Sequence, residues 1–364
     1  MTLETILQQL DRFDPITYGK TRNFTNGAVT DLSPYVSRGF ISTKSILEHL
    51  VRRGFKYYQL EKIIQQMAWR EYFQRVWQSK GAAINIDLKN DQQARVSQGM
   101  PLMIEQASSG IDAIDKGINA LKDGGHMHNH MRMYVAFLSA NLAGFHWHDP
   151  AQWMYYHLLD GDWASNALSW QWVAGTFSHK KYIANQENIN HYTRSTQSGT
   201  YLDHDYDTIS VLSTPDELLV SSHPELKTNL PSTSLPLIDP NLPTLVYNYY
   251  NLSPTWRSHE SANRILLLEP AVFEQYPVSD KCIDFALALS IQTPNMQIFT
   301  GSFSALKVLT GSSPIIFREH PLNRHYTGIA DEREWLLHEP STAEGSFFSF
   351  WKKMEKRLVK EYFH

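Results

Sequence analysis

Through roughly the first 195 positions, apolar residues recur at three- and four-residue spacing, the period of a helix with one buried stripe. The pattern predicts helices over Thr43–Arg53, Leu60–Gln78, Ile111–Lys122, Met127–Leu142, Ala151–Leu159 and Asp162–Ala174, with Gly54, Gly110, Gly124, Gly125 and Gly161 as punctuation. No strand-like alternation interrupts them, so residues 1–195 read as one all-α domain. Between 196 and 243 the periodicity fades into Ser-, Pro-, Asp- and Thr-rich sequence, expected to be a surface linker. From 244 the texture changes again. Short β-branched or aromatic runs at 244–250, 264–269, 296–299 and 314–317 alternate with helical stretches at Ser279–Gln292 and Ser302–Leu309. Such alternation predicts a small parallel α/β domain over 244–364. It ends in an amphipathic basic helix carrying Lys352, Lys353, Lys356, Arg357 and Lys360. The fold class expected is therefore α plus α/β.

The chain has 364 residues, enough for two domains, and its 42% apolar and 19% charged content supports a sizeable core. A net charge of −4 argues against a bulk nucleic-acid binder, so any DNA contact needs a local basic surface. A single cysteine, Cys282, excludes an intrachain disulfide framework and a four-cysteine cluster, and fits a reducing compartment. The N-terminus lacks a signal-peptide pattern, and Val135–Phe145 is too short to span a bilayer. A cytoplasmic, monomeric protein without a membrane partner is expected.

Four segments carry candidate chemistry. In Thr30-Asp31-Leu32-Ser33-Pro34-Tyr35, Ser33 is placed to cap a helix with Pro34 in its first position, a start that offers N–H groups to a phosphate. On a helix, Gln66, Trp69, Arg70 and Phe73 share one face, presenting an amide, an indole and a guanidinium together. His126, His128 and His130 alternate, but helical neighbours two apart point about 200° from each other. They cannot share one ion, and no metal is expected. Most informative is Asp160-Gly161-Asp162-Trp163-Ala164-Ser165-Asn166-Ala167-Leu168-Ser169-Trp170-Gln171-Trp172. Asp162, Asn166 and Trp170 form an i, i+4, i+8 stripe, a carboxylate, an amide and an indole along one wall, while Trp172 points to another side. The chain holds 10 Trp, seven of them between Trp69 and Trp172, a density that suits a flat aromatic ligand or an electron path as well as a core.

Taken in order, TDLSPYVSRGFIS (30–42), QQMAWREYF (65–73), GIDAIDKGINAL (110–121), GHMHNHMRM (125–133) and LLDGDWASNALSWQWVAG (158–175) resemble the FAD-binding helical domain of the photolyase/cryptochrome family. The resemblance covers about residues 15–190. It implies FAD as cofactor, with Tyr18, Thr30, Asp31, Leu32 and Ser33 at its phosphates and ribityl chain, and Arg70 supporting that region. It implies further that Asp160, Gly161 and Asp162 bind the bent cofactor, and that Asp162 and Asn166 face its ring system. Trp170 and then Trp147 would pass electrons to it. Gln66, Trp69, Asn129, His130, Met133 and Trp172 would meet a flipped lesion in UV-damaged DNA.

The activity implied is that of a deoxyribodipyrimidine photo-lyase, a carbon–carbon lyase driven by blue light that splits UV-induced pyrimidine dimers of the cyclobutane type by electron transfer from reduced FAD. A (6-4) photolyase and a cryptochrome-like photoreceptor stay open as alternatives. Gln66 stands where cyclobutane enzymes usually carry Glu, whereas Asn129 and Met133 match the cyclobutane pattern, and His130 replaces an expected Arg. The family's antenna domain does not precede the helical segment. Residues 266–289 resemble it faintly, which implies a permuted order.

Overall fold

The computed structural model describes residues 1–178, 180–337 and 345–363. The chain divides into two compact units. One comprises Met1–Pro15, Thr30–Ser79 and Lys227–His364, and the other Ile16–Val29 and Lys80–Leu226. This grouping differs from division in sequence order at 195 and 243, because the first unit draws on both ends of the chain.

The second unit is helical. Its centre is the helix Trp163–Ala174, which packs on His148–His157 and on Asn129–Ala136, the latter continuing as a π-helical stretch Phe137–Leu142. Trp147, Trp153, Trp163 and Trp170 are all within 2% of complete burial. Side-chain amides tie the layers where helix ends leave carbonyls open. Asn141 Nδ2 donates to the carbonyls of Val173 (2.9 Å) and Tyr182 (2.8 Å), and Gln171 Nε2 donates to that of Ile84 (2.9 Å). The expected linker is partly ordered into this unit. It contains the helix Tyr206–Ser210, and Ser221–Ser222 pairs antiparallel with Met100–Pro101. Those short pairings lie in sequence with no alternating pattern, so periodicity could not signal them.

The first unit holds the parallel sheet. Its strands are β1 (Thr244–Tyr247), β2 (Asn263–Leu268), β3 (Met296–Thr300), β4 (Ile315–Arg318) and β5 (Ile329–Asp331). They lie in the order β3-β2-β1-β4-β5 and every pairing is parallel. That is a doubly wound order with its switch point beside β1. β1 and β2 are buried at every position, as their apolar stretches Leu245–Tyr247 and Ile265–Leu268 suit. Val246, Ile265, Leu267, Phe299, Phe303 and Phe317 form the core on one face.

N-terminal helices fold onto this α/β layer instead of joining the helical unit. The helix Tyr57–Lys80 buries residues along much of its length, from Leu60 to Trp77. Trp77 packs edge-on against His320, centroids 4.9 Å apart, and Glu71 pairs with Arg75 at 2.8 Å while accepting the Leu336 N–H at 2.7 Å. Arg38, fully buried, lies 3.7 Å over the Tyr249 ring. The basic helix Phe347–Tyr362 buries Phe347, Phe350, Trp351, Met354 and Leu358. No helix among the described residues is long and apolar enough to cross a membrane.

Candidate functional site

The site is built around the start of the Trp163–Ala174 helix. Asp162 is its N-cap, in extended conformation, and its Oδ1 accepts the Ser165 N–H at 2.8 Å. The preceding turn admits only glycine at 161. A Cβ there would meet the Leu158 carbonyl oxygen at 2.9 Å and that of Tyr155 at 3.1 Å. The helix stops at Gly175, whose φ of +83° suits the left-handed cap. Sequence thus fixes both ends, and the face between them carries Asp162, Asn166 and Trp170.

That face lines a cavity of about 110 Å³, completed by the Asn129–Ala136 helix and the Met154–Asp160 segment. Asn129, Met133, Asp160, Asp162, Asn166 and Trp170, all expected site residues, come together here. Two buried polar atoms on this wall, Trp170 Nε1 and Ser165 Oγ, have no hydrogen-bond partner among the described residues. Leaving such groups unpaired costs free energy unless a ligand satisfies them. Asn166 Nδ2 is anchored on the Ala151 carbonyl at 2.8 Å, which fixes the orientation of the amide. Arg132 also lines the cavity, and sequence reasoning missed it. Its Nη2 meets both oxygens of Asp160, at 2.8 and 2.9 Å, and its Nε donates to the Met127 carbonyl at 2.8 Å. The only available signal was its i+3 spacing from Asn129.

The other expected residues of this unit lie outside the cavity lining. Trp147 is fully buried, and its Nε1 donates to Asp87 Oδ1 at 2.7 Å. His146 approaches the same oxygen at 3.4 Å, and Asp87 Oδ2 accepts the Gln92 N–H at 2.6 Å. Asp87 was likewise missed by sequence reasoning. Trp172 is 40% exposed and packs near Tyr182, on a different side of the helix from Trp170. His130 leans on the Tyr192 ring, centroids 4.4 Å apart, and burial with its neighbour His128 pushes its pKa down to about 4. It is therefore neutral at pH 7 and brings no positive charge to a phosphate. Tyr18 is buried in the helix Pro15–Thr21, and burial raises its pKa.

Thr30–Ser33, Gln66, Trp69 and Arg70 belong to the other unit. Ser33 does not cap the helix that follows. The helix spans only Ser33–Ser37, with Leu32 in the cap position and no side-chain cap bond. Asp31 takes a left-handed φ of +53°, and the Leu32 N–H reaches back to Thr30 Oγ1 at 3.4 Å, a local turn before the helix. Arg70 Nη2 donates to the Val36 carbonyl at 3.4 Å, which brings the guanidinium to that turn. Gln66 is half-buried, and Trp69 is stacked on Phe347.

Residues 63–210 match the family model described as the FAD binding domain of DNA photolyase. Residues 63–210 are thus similar to the FAD binding domain of DNA photolyase. Among curated relatives, it is 27% identical over 197 residues to the deoxyribodipyrimidine photo-lyase of Alkalihalophilus pseudofirmus, covering 51% of this chain and 40% of that one. It is 28% identical over 172 residues to cryptochrome DASH of Danio rerio, covering 44% and 32%. It is 31% identical over 164 residues to the photo-lyase of Buchnera aphidicola, covering 42% and 33%. The archaeal photolyase from Sulfolobus tokodaii aligns at a TM-score of 0.42 and 20% identity, over 52% of this chain and 44% of that one. The matched region thus spans 40% or less of the curated relatives' own length.

FAD is the cofactor of this domain type, and the cavity fits part of it. A flavin edge presents ring nitrogens and carbonyl oxygens. The unpaired Trp170 N–H, the Ser165 hydroxyl and the anchored Asn166 amide are complementary to such an edge.

Proposed function

We propose that this chain is a light-driven photo-lyase that splits UV-induced pyrimidine dimers in DNA, with the cyclobutane dimer as its lesion. The observation that carries the reading is the cavity wall of Asp162, Asn166 and Trp170, with a buried indole N–H awaiting a partner, inside a domain of the FAD-binding photolyase type. When bound, reduced FAD supplies the light-excited electron; the protein supplies binding, orientation and electrostatics.

In this reading Asp160, Gly161 and Asp162 form the turn that cradles the cofactor, and Tyr18, the Thr30–Ser33 turn and Arg70 serve its phosphate and ribityl portion. Arg132 holds Asp160 in place and adds a positive charge beside the ring. Asn166, fixed by Ala151, presents its amide to the ring at a set angle. Trp170, with Trp147 behind it, would be placed to pass electrons towards the bound cofactor. The Asp87 carboxylate at Trp147 Nε1 stabilises positive charge on that indole.

Gln66, Trp69, Asn129, His130, Met133 and Trp172 are assigned to the lesion side. Flipping a damaged step costs a few kcal/mol, and stacking on an aromatic returns about 1–3 kcal/mol per base. Gln66 can donate a hydrogen bond to a pyrimidine carbonyl but cannot deliver a proton. Asn129 and Met133 fit the cyclobutane pattern.

A second reading, a cryptochrome-like photoreceptor, is favoured by one observation: Phe347 covers one face of Trp69, leaving only its other face and edge for a base. Loss of dimers from irradiated oligothymidylate under blue light decides between the two. Repair by protein loaded with fully reduced FAD supports the photo-lyase; FAD bound with no repair supports the receptor.

A further inference from the structure

The helix Phe347–Tyr362 is the feature that the flavin site leaves unexplained. It carries five basic and two acidic residues, a net +3 (5 − 2), in a chain whose total is −4. The remaining residues therefore sum to −7 (−4 − 3), so positive charge is concentrated here against the trend of the whole molecule. Its buried seam of Phe347, Phe350, Trp351, Met354 and Leu358 faces the protein. Lys352, Lys353, Lys356 and Lys360 are exposed, on an arc of about 100° opposite that seam at 100° per residue.

Glu and Lys four apart on an exposed helix face support each other. This face does the reverse. Lys352–Lys356 and Lys356–Lys360 are like-charge pairs at i, i+4, which destabilise a helix. The acids do not relieve them: Glu355 accepts a hydrogen bond from the Tyr57 hydroxyl, and no ion pair joins either acid to these lysines among the described residues. The repulsion is left for an external polyanion to relieve.

We infer that this lysine face is a docking surface for the phosphate backbone of duplex DNA. Lys352, Lys356 and Lys360 rise about 6 Å per step, roughly 12 Å in all, a span that crosses three or four phosphates of one strand at 3.4 Å each. A lipid surface fits less well. An interfacial helix inserts its apolar face into the bilayer, and here that face is consumed by the protein core. The first residue of the helix, Phe347, stacks on Trp69 from the buried seam. The choice of DNA over other polyanions rests on the photo-lyase reading, while the lysine face itself does not.

The test is binding of undamaged duplex DNA in the dark by the full chain, titrated across salt concentration. Neutralising three backbone contacts in Lys352→Gln/Lys356→Gln/Lys360→Gln should flatten the log–log salt slope by about 2.7, at about 0.9 per phosphate. Affinity near 50 mM salt should fall by about tenfold or more. The matching Lys→Arg triple should keep the parent slope, and thermal melts of both variants exclude unfolding, since the substituted side chains are exposed. An unchanged slope in the Gln variant, with parent affinity intact, overturns the inference and leaves the photo-lyase reading standing. If the Gln variant instead loses only binding to phosphatidylserine vesicles, the face serves lipid and the inference also falls. Failure of the parent chain to bind DNA at all removes both readings.

Discussion

Phe347 lies flat on Trp69, with ring centroids 3.5 Å apart and planes 11° from parallel. The stack ties the C-terminal helix to the helix Tyr57–Lys80, some 280 positions earlier in sequence. It also leaves only the other face and the edge of Trp69 for a base. Phe347 is 3% exposed, so Phe347→Ala should cost about 3–5 kcal/mol as a large-to-small core change. A urea midpoint equal to that of the parent would show that the stack holds nothing together.

Asp162 has two roles that substitution separates. Asp162→Ala removes the cap on Ser165 N–H and should cost about 0.5–2 kcal/mol, together with FAD retention. Asp162→Asn keeps a capping side chain and should keep most of the stability, yet still weaken FAD binding through lost charge. Equal FAD affinity in the Asn variant and the parent would confine Asp162 to the cap.

The electron path is tested by photoreduction. Trp170→Phe should slow flavin photoreduction by at least tenfold while FAD remains bound. Asp87→Asn should slow it by less, because the amide still accepts from Trp147 Nε1 but no longer carries a charge. Parent rates of flavin bleaching under blue light in both variants would place the path elsewhere.

Burial lowers the pKa of His130 to about 4 and lowers that of His128 as well. The folded state therefore holds fewer protons than the unfolded chain, whose His titrates near 6.5. Their stabilising contribution is fully present above pH 6.5 and is lost as pH falls from 6.5 towards 4. His130→Gln should flatten the decline in melting temperature across that window. A decline of unchanged steepness would mean that His130 stays protonated in the fold.

Much of this architecture was legible in the sequence because it is encoded locally. The stripe Asp162–Asn166–Trp170 follows from helical period alone, and the structure places all three on one cavity wall. β1, β2 and β4 are largely buried and read as short apolar runs, while β3 is mostly half-buried with Gln297 within it. β5 was missed because Ile329-Ala330-Asp331 is short and largely exposed, and only pairing with β4 defines it. Nothing near Trp77 announces His320 as its neighbour, nor does anything near Glu71 announce Leu336. Such long-range packing is why the N-terminal helices join the α/β layer against the order of the chain. Arg132 and Asp87 were missed for a similar reason, since their roles come from partners 28 and 60 positions away.

The most direct measurement is the absorption spectrum of the purified chain after incubation with FAD and gel filtration, compared with an Asn166→Ala/Trp170→Ala variant of matched stability. The account predicts one tightly held FAD per parent chain and a marked loss of it in the variant. A colourless parent, or a variant that retains FAD as well as the parent does, would contradict the assignment of the Asp162–Asn166–Trp170 wall to the flavin.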